Sequence, residues 1–388
     1  MKKTQSSLWS ANETYKKNSQ LEKFCTKLEE KKLFKKTSNF KDLWLWSIKN
    51  PSIFWSEVWD FTKIKGIKKG VSIKKNKIFY KNVFFPEAKI NYAENLLVKK
   101  NNQTAINFLS ECGIEKNITW KQLYENVCKF SYYLKKIKLK EKERVAAYVP
   151  NTIEAVTAFL ATSKNGLIWS SCSPDFGADG VIDRFAQIKP KVLITCEYYF
   201  YNGKKINILE KIPKILEKIK SIKKVIVFPY KDNFEKKLKA KYLNFYSILK
   251  ESKLDKNFKK FNFNHPLYIL YSSGTTGMPK CITHGAGNVL IEHNKEFILH
   301  CNIVNNDKIF YYTTTGWMMW NWLVGGLSVG ASLYLYDGSP TFPTNDNLIK
   351  LCSKEKINLF GVSAKYIDFL KKENLYFKKI DLSNLKII

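Results

Sequence analysis

Between residues 144 and 228 short apolar runs alternate with longer amphipathic ones. RVAAYV, LIWSSCS, KVLITC and KVIVF are too short for helices and nearly continuous in apolar residues, the pattern of strands buried on both faces. TIEAVTAFLATSK, GADGVIDRFAQI and INILEKIPKILEKI lie between them with helical spacing. Asn151 and Glu154 have capping-box spacing before the first helix, Pro190 stops the second, and Pro213 is expected to kink the third. Strands alternating with helices predict a parallel sheet covered on both sides.

A second block opens with the strand LYILY at Leu267. A Gly/Ser/Thr loop follows, then the helix NVLIEHNKEFILH, the strand KIFYYT, the apolar helix WMMWNWLVGGL and the strand SLYLYD. A helix over 348–356, the strand NLFGVS and the helix AKYIDFLKK come next, and LSNLKII reads as the opening of a further strand. Residues 231–264 are polar, without a strong apolar period, and read as a surface excursion joining two lobes. The first ninety residues are punctuated by Trp9, Trp44, Trp46, Trp55 and Trp59, with two short helices divided at Pro51. Their aromatic rings are expected to face a core and to carry no chemistry. The expected organisation is a helical, tryptophan-rich region over 1–90, a first α/β subdomain over 91–264 and a second over 265–388. The fold class is α/β: two lobes of mixed, largely parallel sheets covered by helices.

Composition narrows the function classes. A chain of 388 residues, 45% hydrophobic and 15% aromatic, buries sizeable cores, which excludes wholesale disorder. Lys+Arg 66 against Asp+Glu 34 leaves +32, a balance that would suit a polyanion. Arg144 and Arg184 are the only arginines, however, and lysine is spread through every segment, so a specific nucleic-acid partner is not expected. The excess of Lys, Asn, Ile, Phe and Tyr is what AT-rich codons encode, with steering of anionic substrates as a by-product.

Cys25, Cys112, Cys128, Cys172, Cys196, Cys281, Cys301 and Cys352 show neither CxxC pairs nor zinc-ligand spacing, so reduced thiols in the cytoplasm are expected. The basic opening lacks the apolar stretch of a secretory leader, and the N-x-T triplets at Asn12 and Asn117 then carry no glycan. Residues 309–336 are uncharged and long enough to cross a bilayer. Three threonines, Asn321 and the Gly325–Gly326 pair break them into strand, helix and strand, so buried core is expected there and no membrane partner.

The sharpest chemical feature is YSSGTTGMPK, residues 271–280, directly after a buried strand and before a helix. Gly274 and Gly277 let backbone N–H groups point into a shared concavity, Ser272, Ser273, Thr275 and Thr276 add hydroxyls, and Lys280 adds a point charge. Such a set suits a polyphosphate. It is not a Walker A loop, since G-x-x-x-x-G-K-[ST] does not occur there. A flexible Gly/Ser linker would not sit between a buried strand and a helix, nor end in Pro-Lys.

The same stretch resembles the phosphate-loop signature of the acyl-adenylate-forming enzymes. AKINYAENLL, WSSCSPDFG, DRFAQIKPKVL, TTTGWMMWNWLVGGLSVGASLYLYDGSP, FGVSAKY and the N-terminal LWLWSIKNPSIFWSEVWDF are similar to the acetoacetyl-CoA synthetase branch of that family, over essentially the whole chain from about Leu8. The resemblance implies a two-step ligation with ATP, Mg2+ and coenzyme A. A carboxylate attacks the α-phosphorus of ATP to give an acyl-adenylate and pyrophosphate, and the coenzyme A thiolate then displaces AMP. The first step calls for in-line positioning and charge stabilisation rather than a protein nucleophile.

Residue by residue, the resemblance places Ser272, Ser273, Gly274, Thr275, Thr276, Gly277 and Lys280 on the phosphates, with Lys280 in the catalytic role. It places Trp317, Met318 and Met319 as walls of a small acyl pocket, where a wide tryptophan would limit chain length. Plain core packing is the alternative for those three.

The family's Tyr-Gly-x-Thr-Glu element, whose carboxylate helps hold magnesium, is absent, as are its ribose-binding aspartate and its small C-terminal domain with a catalytic lysine. The chain is therefore expected to be an incomplete large domain with little activity alone, and no metal ligand is assigned. Acetate or propionate as the acid, and a remnant that only binds nucleotide, are the alternatives. His284 faces either the phosphates or a helix entry; His293 and His300 lack metal-ligand spacing, and Glu292–His293 has no second histidine for a zincin motif. Asp175 and Asp337 follow strands, where α/β enzymes keep functional groups, and stay unassigned.

Overall fold

The structure is a computed structural model that describes residues 10–388 except 38, 236, 273–276, 376 and 378. After two N-terminal helices, Glu13–Asn18 and Gln20–Glu30, come α1 (Phe40–Lys49) and α2 (Pro51–Phe61), and Pro51 opens the latter at a position where its missing N–H costs nothing. The strands β1 (Thr104–Ser110) and β2 (Glu115–Thr119) lead into α3 (Trp120–Lys136), which starts with a capping box between Thr119 and Gln122. The regular alternation then runs β3 (Arg144–Tyr148), α4 (Ile153–Lys164), β4 (Ile168–Cys172), α5 (Gly177–Ile188), β5 (Val192–Cys196), α6 (Ile212–Lys218) and β6 (Lys224–Phe228). Next come β7 (Tyr242–Asn244), β8 (Pro266–Ser272), β9 (Lys280–Gly285) and α7 (Ala286–Lys295). The last elements needed below are β10 (Lys308–Tyr311), α8 (Met318–Gly325), β11 (Ser332–Asp337) and β12 (Leu359–Gly361).

Two large sheets carry the molecule. The first has the order β7-β6-β5-β3-β4-β8-β9 and the second β12-β10-β11-β1-β2. Each is parallel throughout except at one edge, where β9 pairs antiparallel with β8 and β2 antiparallel with β1. Near the chain end Ile387 forms a parallel bridge with Leu359, as the expected additional strand would.

Sheet membership departs from the expected division at residue 264. The hairpin β8–β9 belongs to the first sheet, and β1–β2, from the first block, complete the second. Hydrophobic period says that a segment is a strand but not which neighbour it joins.

Four local expectations are corrected. Thr152, not Asn151, caps α4, and the Asn151 side chain is committed elsewhere. Pro213 lies in the first turn of α6 instead of kinking a longer helix, because the preceding residues 204–207 form a strand. The stretch 231–264 is more than an excursion: it supplies the edge strand β7 and a helix, Phe245–Glu251, whose Phe245, Ile248 and Leu249 are buried. The glycine-rich loop turns a β-hairpin, since β9 precedes the helix α7.

The uncharged stretch 309–336 does form strand, helix and strand, and no helix among the described residues is long and apolar enough to cross a membrane. Trp169 of β4 stacks on Trp320 of α8 at 6.2 Å, and Phe159 of α4 packs on both at 5.7 and 5.8 Å. This fully buried aromatic cluster clamps α8 onto the first sheet. In the N-terminal region Trp59 is buried against Phe85 and Phe263, whereas Trp44 is about half exposed; Trp9 lies outside the described residues.

Candidate functional site

The carboxyl ends of the parallel strands in both sheets meet at one seam, the place where open α/β sheets hold ligands. Side chains stitch it. The Thr315 hydroxyl donates to the Val149 carbonyl at 2.7 Å, and the Ser171 hydroxyl donates to the Thr315 carbonyl at 2.6 Å. Asn151 accepts from Trp320 Nε1 at 2.9 Å, and its backbone N–H reaches Asp337 Oδ1 at 3.4 Å. The segment after β10 is thereby fixed to the ends of β3 and β4.

The hairpin β8–β9 projects at this edge. Its last pair sets Ser272 opposite Lys280, so the two described ends of the loop face each other across its mouth. Ser273, Gly274, Thr275 and Thr276 lie outside the described residues. Gly277 has φ +107, a backbone that L side chains rarely adopt, and a Cβ there would meet nothing within 4 Å. Met278 and Lys280 are exposed, and the Lys280 ammonium has no partner among the described residues. The loop mouth thus sets an exposed lysine across from a half-buried serine, a combination that can receive an oxyanion.

The hairpin base is held by α5. Gln187 donates to the Pro279 carbonyl at 2.9 Å and accepts from Cys281 at 3.5 Å. The Ser170 hydroxyl of β4 donates to the Ile269 carbonyl and lies 3.0 Å from the Tyr271 hydroxyl. Arg184 of α5 lies over the Phe176 ring at 4.2 Å and 5.9 Å from the Tyr271 ring. Sequence reasoning missed Arg184; its one signal was being one of two arginines in a lysine-dominated chain.

The same contacts bring the hairpin near the segment expected to wall an acyl pocket. A Cβ on Gly316 would fall 2.4 Å from Phe176 Cε2, so glycine is required for the chain to lie against that ring. With Gly316 pressed inward, Trp317 caps α8 and is 62% exposed, Met318 is 47% exposed and Met319 is half-buried. Trp317 and Met318 are therefore not core.

They also do not line the cavity at the seam. That cavity, about 240 Å3, is bounded by Ser173, Asp175, Tyr199, Tyr312, Thr314 and Asp337, among others. Asp175 is exposed at it, while Asp337 is buried. Tyr230 donates to Asp337 Oδ2 at 2.6 Å, and burial pushes this carboxyl up to about 7 against the relief of that bond.

The histidines do not gather. His284 sits on β9, half-buried over the Tyr268 ring at 5.1 Å, with burial holding its pKa below the ordinary value. His293 is buried, packs on Phe297, and leaves Nδ1 without a partner among the described residues; His300 lies 3.9 Å from Glu296 in the π-helical segment Glu296–His300 that follows α7. Asn321, also missed, is fully buried with both amide atoms unpartnered. Among the described residues no three His, Cys, Asp or Glu side chains converge on a metal position.

Comparison with known proteins fits this geometry. The chain is 41% identical to acetoacetyl-CoA synthetase of Gallus gallus across 90% of its own length and 54% of the relative's. It is 39% identical to acetoacetyl-coenzyme A synthetase of Rhizobium meliloti, covering 88% of this chain and 53% of that one. Among solved structures, acetoacetyl-CoA synthetase from Streptomyces lividans superposes with TM-score 0.92 at 31% identity, over 97% of this chain and 58% of that one. The chain spans about half the length of the curated relatives it matches. The family model for AMP-binding enzymes matches residues 94–388, through both sheets and the β8–β9 hairpin, and the chain belongs to the AMP-binding enzyme family.

Proposed function

We infer that this chain carries the carboxylate-activating site of an acetoacetate–CoA ligase. The observation that carries the reading is the hairpin mouth, where Ser272 pairs across from Lys280, whose ammonium has no partner among the described residues. The similarity to acetoacetyl-CoA synthetases across nine-tenths of the chain supports acetoacetate as the acid.

The acid's carboxylate oxygen forms a bond to the α-phosphorus of ATP while the bond to pyrophosphate breaks. The coenzyme A sulfur then bonds to the acyl carbon, and AMP leaves with the electron pair. No side chain need act as nucleophile, because the carboxylate is already anionic. The residues assigned to the phosphates are Ser272, Ser273, Gly274, Thr275, Thr276, Gly277 and Lys280. Lys280 neutralises charge that builds on the departing pyrophosphate, where a fixed cation stabilises the transition state more than the ground state. Trp317, Met318 and Met319, at the amino end of α8, are assigned to the acid. Their exposure leaves that wall open on one side. No metal ligand is assigned among the described residues, and no step is assigned to the metal.

The test is a panel of acetoacetate, acetate, propionate and butyrate with ATP and coenzyme A, using the whole natural protein. Acetoacetate should give the highest kcat/KM. A higher value for acetate or propionate would reject the assigned acid, and no acyl-CoA from any of the four would reject the reaction.

A further inference from the structure

Phe79 and Tyr80 are 87% and 81% exposed, more than any other large apolar side chain among the described residues. They occupy a single 3-10 turn, Phe79–Lys81, at the tip of an antiparallel ribbon that pairs Ile73 with Phe84 and Lys74 with Val83. The ribbon's base is anchored. The buried Phe85 donates its N–H to the Ser72 carbonyl at 2.8 Å, and its ring packs on Trp59 and Phe263.

The tip is braced from within. Asn82 Oδ1 accepts from the Asn76 N–H at 2.7 Å, and Asn76 Oδ1 accepts from the Ile78 N–H at 2.9 Å. The aromatic pair is therefore held out by a formed loop, with Ile78 and Val83 exposed beside it. Lys74, Lys75, Lys77 and Lys81 are all exposed, and no Asp or Glu occurs from Val71 to Phe85. An apolar tip ringed by cations of one sign is complementary to a surface that is apolar within and anionic at its face.

We propose that this ribbon tip is a docking surface for an anionic lipid bilayer. Phe79 and Tyr80 enter the headgroup layer, where aromatic rings are favoured. The lysine stems lie along the apolar boundary with their ammonium groups at the phosphates. A single-stranded nucleic acid would use the rings as stacking platforms but leave Ile78 and Val83 in water, so the exposed aliphatics favour lipid. The expectation of no membrane partner came from the absence of a spanning segment; surface docking departs from it. The proposal stands independently of the ligase reading.

Co-sedimentation of the chain with phosphatidylcholine vesicles, with and without about one-third phosphatidylglycerol, tests it. Binding should require the anionic lipid. It should fall about tenfold or more in Phe79→Ser/Tyr80→Ser, which keeps every lysine, and similarly in Lys75→Glu/Lys77→Glu. An unchanged melting temperature in both variants would show that the fold is intact. Three results would overturn the proposal. One is no binding to anionic vesicles. Another is wild-type binding by the aromatic variant, which would assign the attraction to diffuse lysine charge. The third is binding of a poly-uridine strand that the aromatic variant loses while vesicles are ignored.

Discussion

Asp337 ends β11 at the seam between the sheets, so its protonation is coupled to how the two sheets meet. Burial raises its carboxyl from the ordinary 3.8 to about 7, with Glu111 and Asp175 adding repulsion and the Tyr230 hydroxyl and Asn151 N–H opposing it. Between those values the folded protein holds a proton that the unfolded chain has already released. The stabilising contribution is thus complete below the ordinary value and is lost as pH rises through about 7. The gap from 3.8 to about 7, at about 1.4 kcal/mol per tenfold in proton affinity, amounts to about 4 kcal/mol, of which about 3 kcal/mol disappears between pH ~5 and ~8.

Asp337→Asn removes this titration. The assay is urea unfolding of both proteins at steps of pH across that window. Stability of the variant relative to wild type should climb with pH by about 3 kcal/mol. His265, His284 and His293 are held below their ordinary values by burial and lose stability in the opposite direction, as pH falls. They are common to both proteins and cancel in the difference. A difference in stability that stays constant from pH ~5 to ~8 would mean that Asp337 is ionised throughout, and the reasoning would fail.

Two backbone positions give sharper steric tests. Gly316→Ala places a methyl 2.4 Å from Phe176 Cε2, so the ring must leave its place on Arg184; the expected cost is about 1–3 kcal/mol, read by urea unfolding, with nucleotide affinity falling as well. Gly277→Ala meets no atom but must hold φ +107, which should cost about 1–3 kcal/mol in hairpin order; hydrogen exchange of the β8–β9 amides should quicken while those of β3 stay protected.

Much of the fold was legible because its strands are buried on both faces. RVAAYV, LIWSSCS, KVLITC and KVIVF announce themselves by continuous apolar sequence and appear as β3, β4, β5 and β6. β9 was missed because KCITHG is an edge strand, largely exposed, and lacks that signal. The Asn151–Glu154 spacing was sound local logic overridden by tertiary demand. Asn151 serves Trp320 and Tyr336, and Glu154 accepts from the Tyr246 hydroxyl.

The loop at Ser272, Gly277 and Lys280 stands out in sequence because glycines, hydroxyls and a lysine cluster there. Asp337 could not be assigned, since its partner Tyr230 lies 107 residues away. Arg184 reaches the site through a helix face that no short motif records. Trp317 illustrates the limit of apolar character as a guide. Its place in an uncharged run would suit core packing, but the inward demand of Gly316 leaves it largely in solvent.

The central claim is that the β8–β9 hairpin holds a nucleotide through its phosphates, and titration calorimetry of ATP into this chain and into Lys280→Ala tests it most directly. Lys280 is exposed and has no partner among the described residues, so the substitution should leave the melting temperature unchanged while weakening ATP binding about tenfold or more. ATP bound equally well by the variant, or not bound by the intact chain, would contradict the account.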